Sequence, residues 1–150
     1  MNTSKLMMLP FALAMLAVGA FGASFKPGVW YKGLIRPWFT PPDWVFGPVW
    51  TVLYILIAIA GYLVWRRAGW SLALAFWLAN IVLNGLWSLL MFSQHRIDLA
   101  LLDIVAMWLT IVGFMVTAYR IDPRATWCFA PYLAWVSLAT ALNVALWRLN

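Results

Sequence analysis

Long apolar stretches, separated by short polar segments, make up most of this chain. A membrane-spanning helix needs about 20 mostly apolar residues. Windows of that kind lie at residues 6–24, 44–65, 71–92, 98–119 and 125–147. Runs this long favour helices over the roughly ten-residue alternating strands of a barrel, because a helix satisfies its own backbone amides. We therefore predict an all-α integral membrane protein, a five-transmembrane-helix bundle in which residues 1–150 form a single domain.

Composition and charge narrow the class of protein further. The 150 residues are 66% hydrophobic and 9% charged, whereas soluble domains carry about 25% charged residues, so a soluble globule is excluded. The net charge of +6 comes from basic residues in the connections, where they would meet lipid phosphates, and we predict no nucleic-acid partner. The basic residues divide equally between the two ends of the bundle: Lys5, Arg66, Arg67, Arg120 and Arg124 at one end, and Lys26, Lys32, Arg36, Arg96 and Arg148 at the other.

The first window also resembles a secretory signal peptide. Lys5 precedes an apolar run, and small residues near Ala23 fit a cleavage site. A retained first helix is favoured, because the apolar stretch is longer than a usual signal core. Gly19 and Ala23 would then provide a small face for helix packing.

The connection between the first and second helices, residues 25–43, differs from the other connections. It is rich in aromatic residues, and Pro37, Pro41 and Pro42 prevent a continuous helix. The other connections are short turns, which predict that consecutive helices pack as antiparallel neighbours. A long connection among such short ones is usually functional. We interpret residues 25–43, the lid segment, as a long ordered loop that covers a pocket at the water interface.

Aromatic and polar side chains recur at helical spacing within the predicted spans. The stripes are Trp50, Tyr54 and Ala58 in the second span, Asn80, Asn84 and Ser88 beside Trp87 in the third, and Trp135, Ala139 and Asn143 beside Leu142 in the fifth. Side-chain amides need partners within a bilayer, so these faces should point inward. Flat aromatic walls suit a flat hydrophobic ligand. Hydrogen bonding between helices alone is the other interpretation of each Asn.

Few residues could carry conventional chemistry. Asp103 is the carboxylate that lies well inside a span, and it is either a functional group or a hydrogen-bond partner for an indole or an amide. His95 stands alone in a turn and Cys128 is the only cysteine, so we predict no metal site and no internal disulfide. The sequence contains no Ser-His-Asp arrangement, Gly-rich phosphate loop or metal-ligand spacing. Binding is therefore expected rather than conventional catalysis.

Several segments together resemble one known family. They are WYKGLIRPWFTPPDWVFGPVWTVLY from Trp30 to Tyr54, LNGLW around Asn84, LLD at Asp103, and PYLAWVSLATALN followed by WR. These segments are similar to those of the translocator protein family, also called tryptophan-rich sensory proteins or peripheral-type benzodiazepine receptors (TspO/MBR). The resemblance implies a homodimer of five-helix bundles that requires no cofactor. It also implies a pocket under the first loop for porphyrins such as protoporphyrin IX and other haem-pathway tetrapyrroles, for sterol or lipid, and for isoquinoline or benzodiazepine drugs.

The ligand-binding positions of the family map onto this sequence residue by residue. The pocket implied by the resemblance is lined by Tyr31, Pro41, Trp50, Tyr54, Asn84, Trp87, Asp103, Trp135, Ala139 and Leu142. The sterol-recognition pattern of the animal members is incomplete here, because Val144 stands in place of its Tyr although Arg148 remains. A tetrapyrrole is therefore favoured over a sterol.

Together, the residues and the resemblance predict a membrane receptor or sensor that binds porphyrin-type tetrapyrroles and has a regulatory or transport role. Some bacterial relatives imply one alternative, a light-dependent porphyrin-degrading enzyme that uses Trp50 and Trp135. The other alternative is a tetrapyrrole or sterol transporter, although five helices cannot form two matching inverted repeats. We expect a bacterial membrane, or the mitochondrial outer membrane if the protein is eukaryotic.

Overall fold

The computed structural model describes residues 3–150, with side chains from residue 5 onward. The helices are α1 (Thr3–Ser24), α2 (Gly28–Lys32), α3 (Asp43–Ala68), α4 (Leu72–Ser88, continued by a π-helical turn at Leu89–Ser93), α5 (Ile97–Tyr119) and α6 (Pro123–Leu149). Five of them, namely α1, α3, α4 with its π-helical turn, α5 and α6, are long and apolar enough to cross a membrane. The predicted all-α architecture with five spanning helices is confirmed.

The five long helices form a closed ring. Helix α1 packs against α3 and α4, α3 packs against α6, α6 against α5, and α5 against α4. Helices α3 and α4 share only a small contact although a short turn joins them. The expectation that consecutive helices pack side by side is therefore only partly met here, because α1 lies against both of them. The cavity described below lies inside this ring.

A close approach at Gly61 brings α1, α3 and α4 together. A Cβ atom at this position would lie 2.6 Å from Cε2 of Trp77 and 2.8 Å from Cδ1 of Phe11. The Trp77 indole lies on the α3 backbone and donates its Nε1–H to the Ile57 carbonyl over 2.8 Å. Phe11 packs edge-on against the same indole, with the two ring centroids 5.2 Å apart. The missing side chain at Gly61 thus makes room for an aromatic contact between three helices.

The end of the bundle opposite the lid segment is fixed by a buried carboxylate. The Asp122 side chain is only 1% exposed. It accepts hydrogen bonds from the Arg124 guanidinium at 2.8 Å and the Arg124 backbone N–H at 3.1 Å, and it pairs with Arg67 at 3.0 Å. Asp122 therefore caps α6 and ties that helix to the end of α3. The hydrogen bond from Arg124 and the charge of Arg67 lower the pKa of Asp122 to about 2.

Gly61→Ala tests the contact between the three helices. The new methyl group would collide with the Trp77 ring, and overpacking of this kind costs about 1–3 kcal/mol of folding free energy. We expect a lower unfolding temperature in detergent, measured by circular dichroism. The matched control in the same helix is Gly47→Ala, because a Cβ atom at Gly47 meets nothing within 4 Å. An equal loss of stability in both variants would contradict this role of Gly61.

Asp122→Asn tests the carboxylate at the other end. Asn keeps the cap but loses the charge, and hydrogen bonds to charged groups contribute about 1.5–3 kcal/mol. Because the folded pKa is lowered, the stability gap between the wild type and the variant should be full above about pH 5, shrink as the pH falls, and be lost as the pH falls through about 2. Unfolding at a series of pH values measures this gap. A gap that stays constant down to pH 2 would contradict the ionised carboxylate.

Candidate functional site

A cavity of about 950 Å³ lies inside the helix ring, beneath the lid segment. This volume falls within the range of small-molecule sites, about 300–1,000 Å³. All five long helices and the lid segment contribute to its lining. The structure brings together here seven of the ten residues that were predicted to form the pocket: Tyr31, Trp50, Tyr54, Asn84, Trp87, Trp135 and Ala139.

The other three predicted pocket residues do not line the cavity. Pro41 lies in the lid segment just before α3, and Leu142 is buried in α6. Asp103 is 6% exposed, and its neighbour Ile104 lines the cavity instead. Neither carboxylate oxygen of Asp103 has a hydrogen-bond partner among the residues that the structure describes. A helix turns by about 100° per residue, so a shift of one position moves a side chain off the cavity face.

Aromatic rings that brace one another form the walls. Trp135 packs edge-on against Phe46, with centroids 5.4 Å apart, and Trp50 lies 5.5 Å from Tyr54. Phe46 was not predicted to line the cavity, although it lies one helical turn before Trp50 and continues the stripe of Trp50 and Tyr54. The Trp135 Nε1–H is buried and has no hydrogen-bond partner within the described part of the chain.

The π-helical turn after α4 supplies another wall residue that the sequence did not reveal. Gln94 donates its backbone N–H to the Leu89 carbonyl, five residues earlier, over 3.0 Å, as in a π-helix. Within this turn, Phe92 lines the cavity. Its ring lies edge-on to Trp87 and to Tyr31 of the lid segment, with centroids 5.5 Å apart in both pairs. The π-helical turn thus joins the cavity wall to its cover.

A small residue on α1 leaves room for the cavity floor. A Cβ atom at Gly19 would lie 3.1 Å from the Tyr54 ring. Ile104 and Met107, one turn apart on α5, complete the apolar lining on that side. From the sequence, Gly19 was assigned to helix packing, and Ile104 and Met107 were not singled out, because aliphatic residues do not stand out in an apolar helix.

Beside the cavity, a chain of hydrogen bonds crosses four helices. The Tyr54 hydroxyl donates to Asn84 Oδ1 over 3.2 Å, and Asn84 Nδ2 donates to the Tyr132 hydroxyl over 2.8 Å. Tyr132 donates to Asn80 Oδ1 over 3.0 Å, and Asn80 Nδ2 donates to Thr110 over 3.0 Å. Lipid offers no alternative partners, so this chain fixes how α3, α4, α5 and α6 are rotated.

Trp87 joins the cavity wall to a second polar group. Its Nε1–H donates to Asn143 Oδ1 over 3.0 Å, and Asn143 Nδ2 donates to the Ile97 carbonyl over 3.1 Å. Asn143 was predicted to belong to an inward polar stripe, and it is 1% exposed. It acts between helices rather than as part of the cavity lining.

The lid segment is held by contacts with three parts of the bundle. Asn150 accepts from the Ile35 backbone N–H over 2.9 Å and donates to the Ile35 carbonyl over 3.1 Å. The Trp30 ring stacks on His95, with centroids 4.2 Å apart and planes at 17°. Tyr31 packs with the apolar cluster around Met91. These contacts hold the cover in place. The lid segment was predicted to be a loop throughout, but it contains the short helix α2.

Charged side chains of the lid segment and of the start of α3 surround the cavity mouth. Lys26, Lys32, Arg36 and Asp43 all line it. Arg36 pairs with Asp43 at 3.3 Å and lies 5.6 Å from the centroid of the Tyr31 ring. Burial raises the pKa of the Tyr31 phenol, and the positive charge of Arg36 opposes that rise. The cavity therefore has apolar aromatic walls and a polar, mainly basic mouth.

A second, smaller hollow lies on the outside of the bundle, between α3 and α6. It measures about 600 Å³ and contains two helix prolines, Pro48 and Pro131. Trp135 lines both this outer groove and the main cavity. One indole thus separates the cavity from the membrane-facing side of the helix pair.

The cavity has surfaces that can bind a ligand, but few side chains of the kind that act in conventional catalysis. No cluster of three or more His, Cys, Asp or Glu side chains occurs within residues 3–150. Two positions of the sterol-recognition pattern, Val144 and Arg148, do not line the cavity. Val144 is half-buried, and Arg148 is exposed near the end of α6. The arrangement can enclose a flat apolar molecule and offer positive charge to one of its edges.

Tyr132→Phe tests the hydrogen-bond chain. Removal of this hydroxyl leaves buried groups of Asn80 and Asn84 unpaired, at a cost of about 1–3 kcal/mol. Tyr54→Phe is the matched control, because it removes only the last hydroxyl of the chain, next to the cavity. We expect a clearly lower unfolding temperature in detergent for Tyr132→Phe and a small change for Tyr54→Phe. The reverse order would contradict the central position of Tyr132.

Comparison with known proteins identifies the family. The sequence model of the TspO/MBR family matches residues 7–148. The chain is 39% identical over 150 residues to the tryptophan-rich sensory protein of Cereibacter sphaeroides, covering 100% of this chain and 95% of that protein. It is 38% identical over 144 residues to protein CrtK of Rhodobacter capsulatus, covering 93% and 90%, and 34% identical over 143 residues to the human translocator protein, covering 89% and 85%. The chain is therefore an integral membrane protein and belongs to the TspO/MBR family of membrane sensors and translocators.

Proposed function

We propose that the protein is a membrane receptor or sensor that binds porphyrin-type tetrapyrroles in the cavity beneath the lid segment. One observation carries this proposal: Trp50, Trp87 and Trp135, from three helices, converge on a single cavity of about 950 Å³. Indole faces interact well with a large flat π-system, and each aromatic contact adds about 0.5–1.5 kcal/mol beyond the area that it buries.

The position of the cavity supports the same class of ligand. It lies within the membrane-spanning ring, so an apolar ligand can be buried without contact with water. The lid segment closes it at the water interface, where Tyr31 contributes a ring next to Phe92. A sterol is less well matched, because it has no π-system to stack against the indoles and because the sterol pattern lacks its Tyr at Val144. The regulatory or transport role would follow from loading and emptying this cavity.

Titration of protoporphyrin IX into the purified protein in the dark, followed by Trp fluorescence, tests the proposal. We expect saturable quenching in the wild type. A Trp50→Ala, Trp135→Ala double variant should bind at least about tenfold more weakly, because it loses two aromatic walls.

A matched control distinguishes the loss of two aromatic walls from the loss of two fluorescent tryptophans. Trp70 and Trp127 are 75% and 69% exposed and lie at the end of the bundle opposite the lid segment. A Trp70→Ala, Trp127→Ala double variant should keep the wild-type affinity. Unsaturable quenching, or equal affinity in all three proteins, would contradict binding in the cavity.

A further inference from the structure

Two arginines lie next to each other at the end of the bundle opposite the lid segment, on either side of one buried carboxylate. Arg67, in the last turn of α3, pairs with Asp122 Oδ2 at 3.0 Å, and Arg124, in the first turn of α6, pairs with the same oxygen at 2.8 Å. Arg124 also donates from Nε to Asp122 Oδ1 over 3.0 Å. The shared carboxylate therefore holds the two guanidinium groups, called the arginine pair below, in defined positions.

The arginine pair has charge and donors left over for a second anion. One carboxylate meets two guanidinium groups, so one positive charge stays uncompensated within this group of three side chains. A guanidinium carries five N–H donors in a planar fork that fits phosphate oxygens, and Arg124 gives its Nε and one Nη to the carboxylate. The Arg67 and Arg124 side chains are 52% and 60% exposed, so the remaining donors can be reached from outside the bundle.

One face of α6 joins the arginine pair to the outer groove. From Arg124 onward, Trp127, Pro131, Ala134 and Leu138 follow at intervals of three or four residues, which places them on one side of the helix. Trp127, Pro131 and Ala134 are exposed, and Pro131, Ala134 and Leu138 line the outer groove. The groove therefore lies on the same outer surface of the bundle as the arginine pair.

The spacing along this face matches a lipid molecule. With a rise of about 1.5 Å per residue, Pro131 lies about 10 Å and Trp135 about 16 Å beyond Arg124 along the helix. One leaflet of the hydrocarbon core is about 15 Å deep, half of a core of about 30 Å. A phospholipid whose phosphate meets the arginine pair can therefore place an acyl chain in the near part of the outer groove.

We propose that the arginine pair and the outer groove together bind one anionic phospholipid on the outside of the bundle. The headgroup phosphate accepts hydrogen bonds from the arginine pair, and one acyl chain follows α6 into the groove and ends against Trp135. The site lies outside the helix ring and does not depend on what the inner cavity binds, although Trp135 borders both spaces.

The charge of this end of the bundle favours an anionic lipid over a zwitterionic one. Basic side chains outnumber carboxylates five to one here, and each basic residue near the membrane surface attracts anionic headgroups. A phosphatidylcholine headgroup brings its own quaternary ammonium group to a site that already has surplus positive charge. A phosphatidylglycerol headgroup brings only the phosphate charge.

Native mass spectrometry of the protein in detergent measures the lipid that stays bound. Dioleoyl phosphatidylglycerol and dioleoyl phosphatidylcholine share their acyl chains, so the difference between their affinities reports the headgroup contact. We expect the wild type to bind phosphatidylglycerol at least about fivefold more tightly, since one basic residue near anionic headgroups contributes about this factor.

A triple variant, Arg67→Gln, Asp122→Asn, Arg124→Gln, tests the headgroup contact. It removes the buried carboxylate together with both partners, so no unpaired charge is left buried. The preference for phosphatidylglycerol should fall to less than about twofold, because the surplus charge is gone. Arg120→Gln is the matched control, because it lowers the net charge of the same end by the same single unit at an exposed residue outside the arginine pair. It should keep the wild-type preference.

Ala134→Phe tests the outer groove and leaves every charge in place. The new ring fills the groove, so both lipids should bind about three- to fivefold more weakly while the preference for phosphatidylglycerol remains. Ala141→Phe is the matched control, because Ala141 is exposed on the same helix and does not line the groove. It should bind both lipids as the wild type does. Ala134 is exposed, so this variant tests the proposal even if the triple variant does not fold.

The opposite results would overturn the site. Equal loss of the preference in the triple variant and in Arg120→Gln would assign it to the general charge of this end, and equal weakening by Ala134→Phe and Ala141→Phe would exclude the groove. Retention of inorganic phosphate by the wild type, with equal affinity for the two lipids, would assign the arginine pair to a free anion. A changed ratio of monomer to dimer in Ala134→Phe, with lipid binding unaltered, would assign the groove to a second copy of this chain.

Discussion

The hydrogen-bond chain from Tyr54 through Asn84, Tyr132 and Asn80 to Thr110 determines much of this structure. Within a bilayer no water is available to these hydroxyl and amide groups, so each must form a hydrogen bond with the protein. The chain crosses α3, α4, α5 and α6, and it fixes which face of each helix points inward. Trp50 and Trp135 are turned toward a common space as a result. The hydrogen-bond chain thus fixes the shape of the aromatic cavity.

The cover of the cavity is fixed by a different set of contacts. The lid segment has no long helix, and it is held by the two hydrogen bonds between Ile35 and Asn150 and by the stack of Trp30 on His95. These contacts are more exposed than the chain inside the bundle, and exposed elements open more easily than buried ones. The bundle can therefore keep its shape while the cover moves. Because the basic side chains lie on the lid segment, they place positive charge only at the mouth of the cavity.

The fold could be predicted from the sequence because a helix that crosses the bilayer needs a long, mostly apolar segment, and such segments are easy to recognise. The sequence also predicted much of the cavity, since Trp50, Tyr54 and Asn84 share helical spacing with neighbours of the same kind. It did not indicate that Asp103 and Leu142 lie off the cavity lining, because helix rotation depends on partners in other helices. The π-helical turn that brings Phe92 to the cavity depends on packing against the lid segment, which no local pattern in an apolar run records.

A structure of the protein with protoporphyrin IX in a lipid bilayer is the most direct test of binding in the cavity. We expect density for the macrocycle inside the helix ring, between Trp50 and Trp135 and beneath α2. Density confined to the outer surface, such as the groove of Pro48 and Pro131 between α3 and α6, with the inner cavity empty, would contradict it.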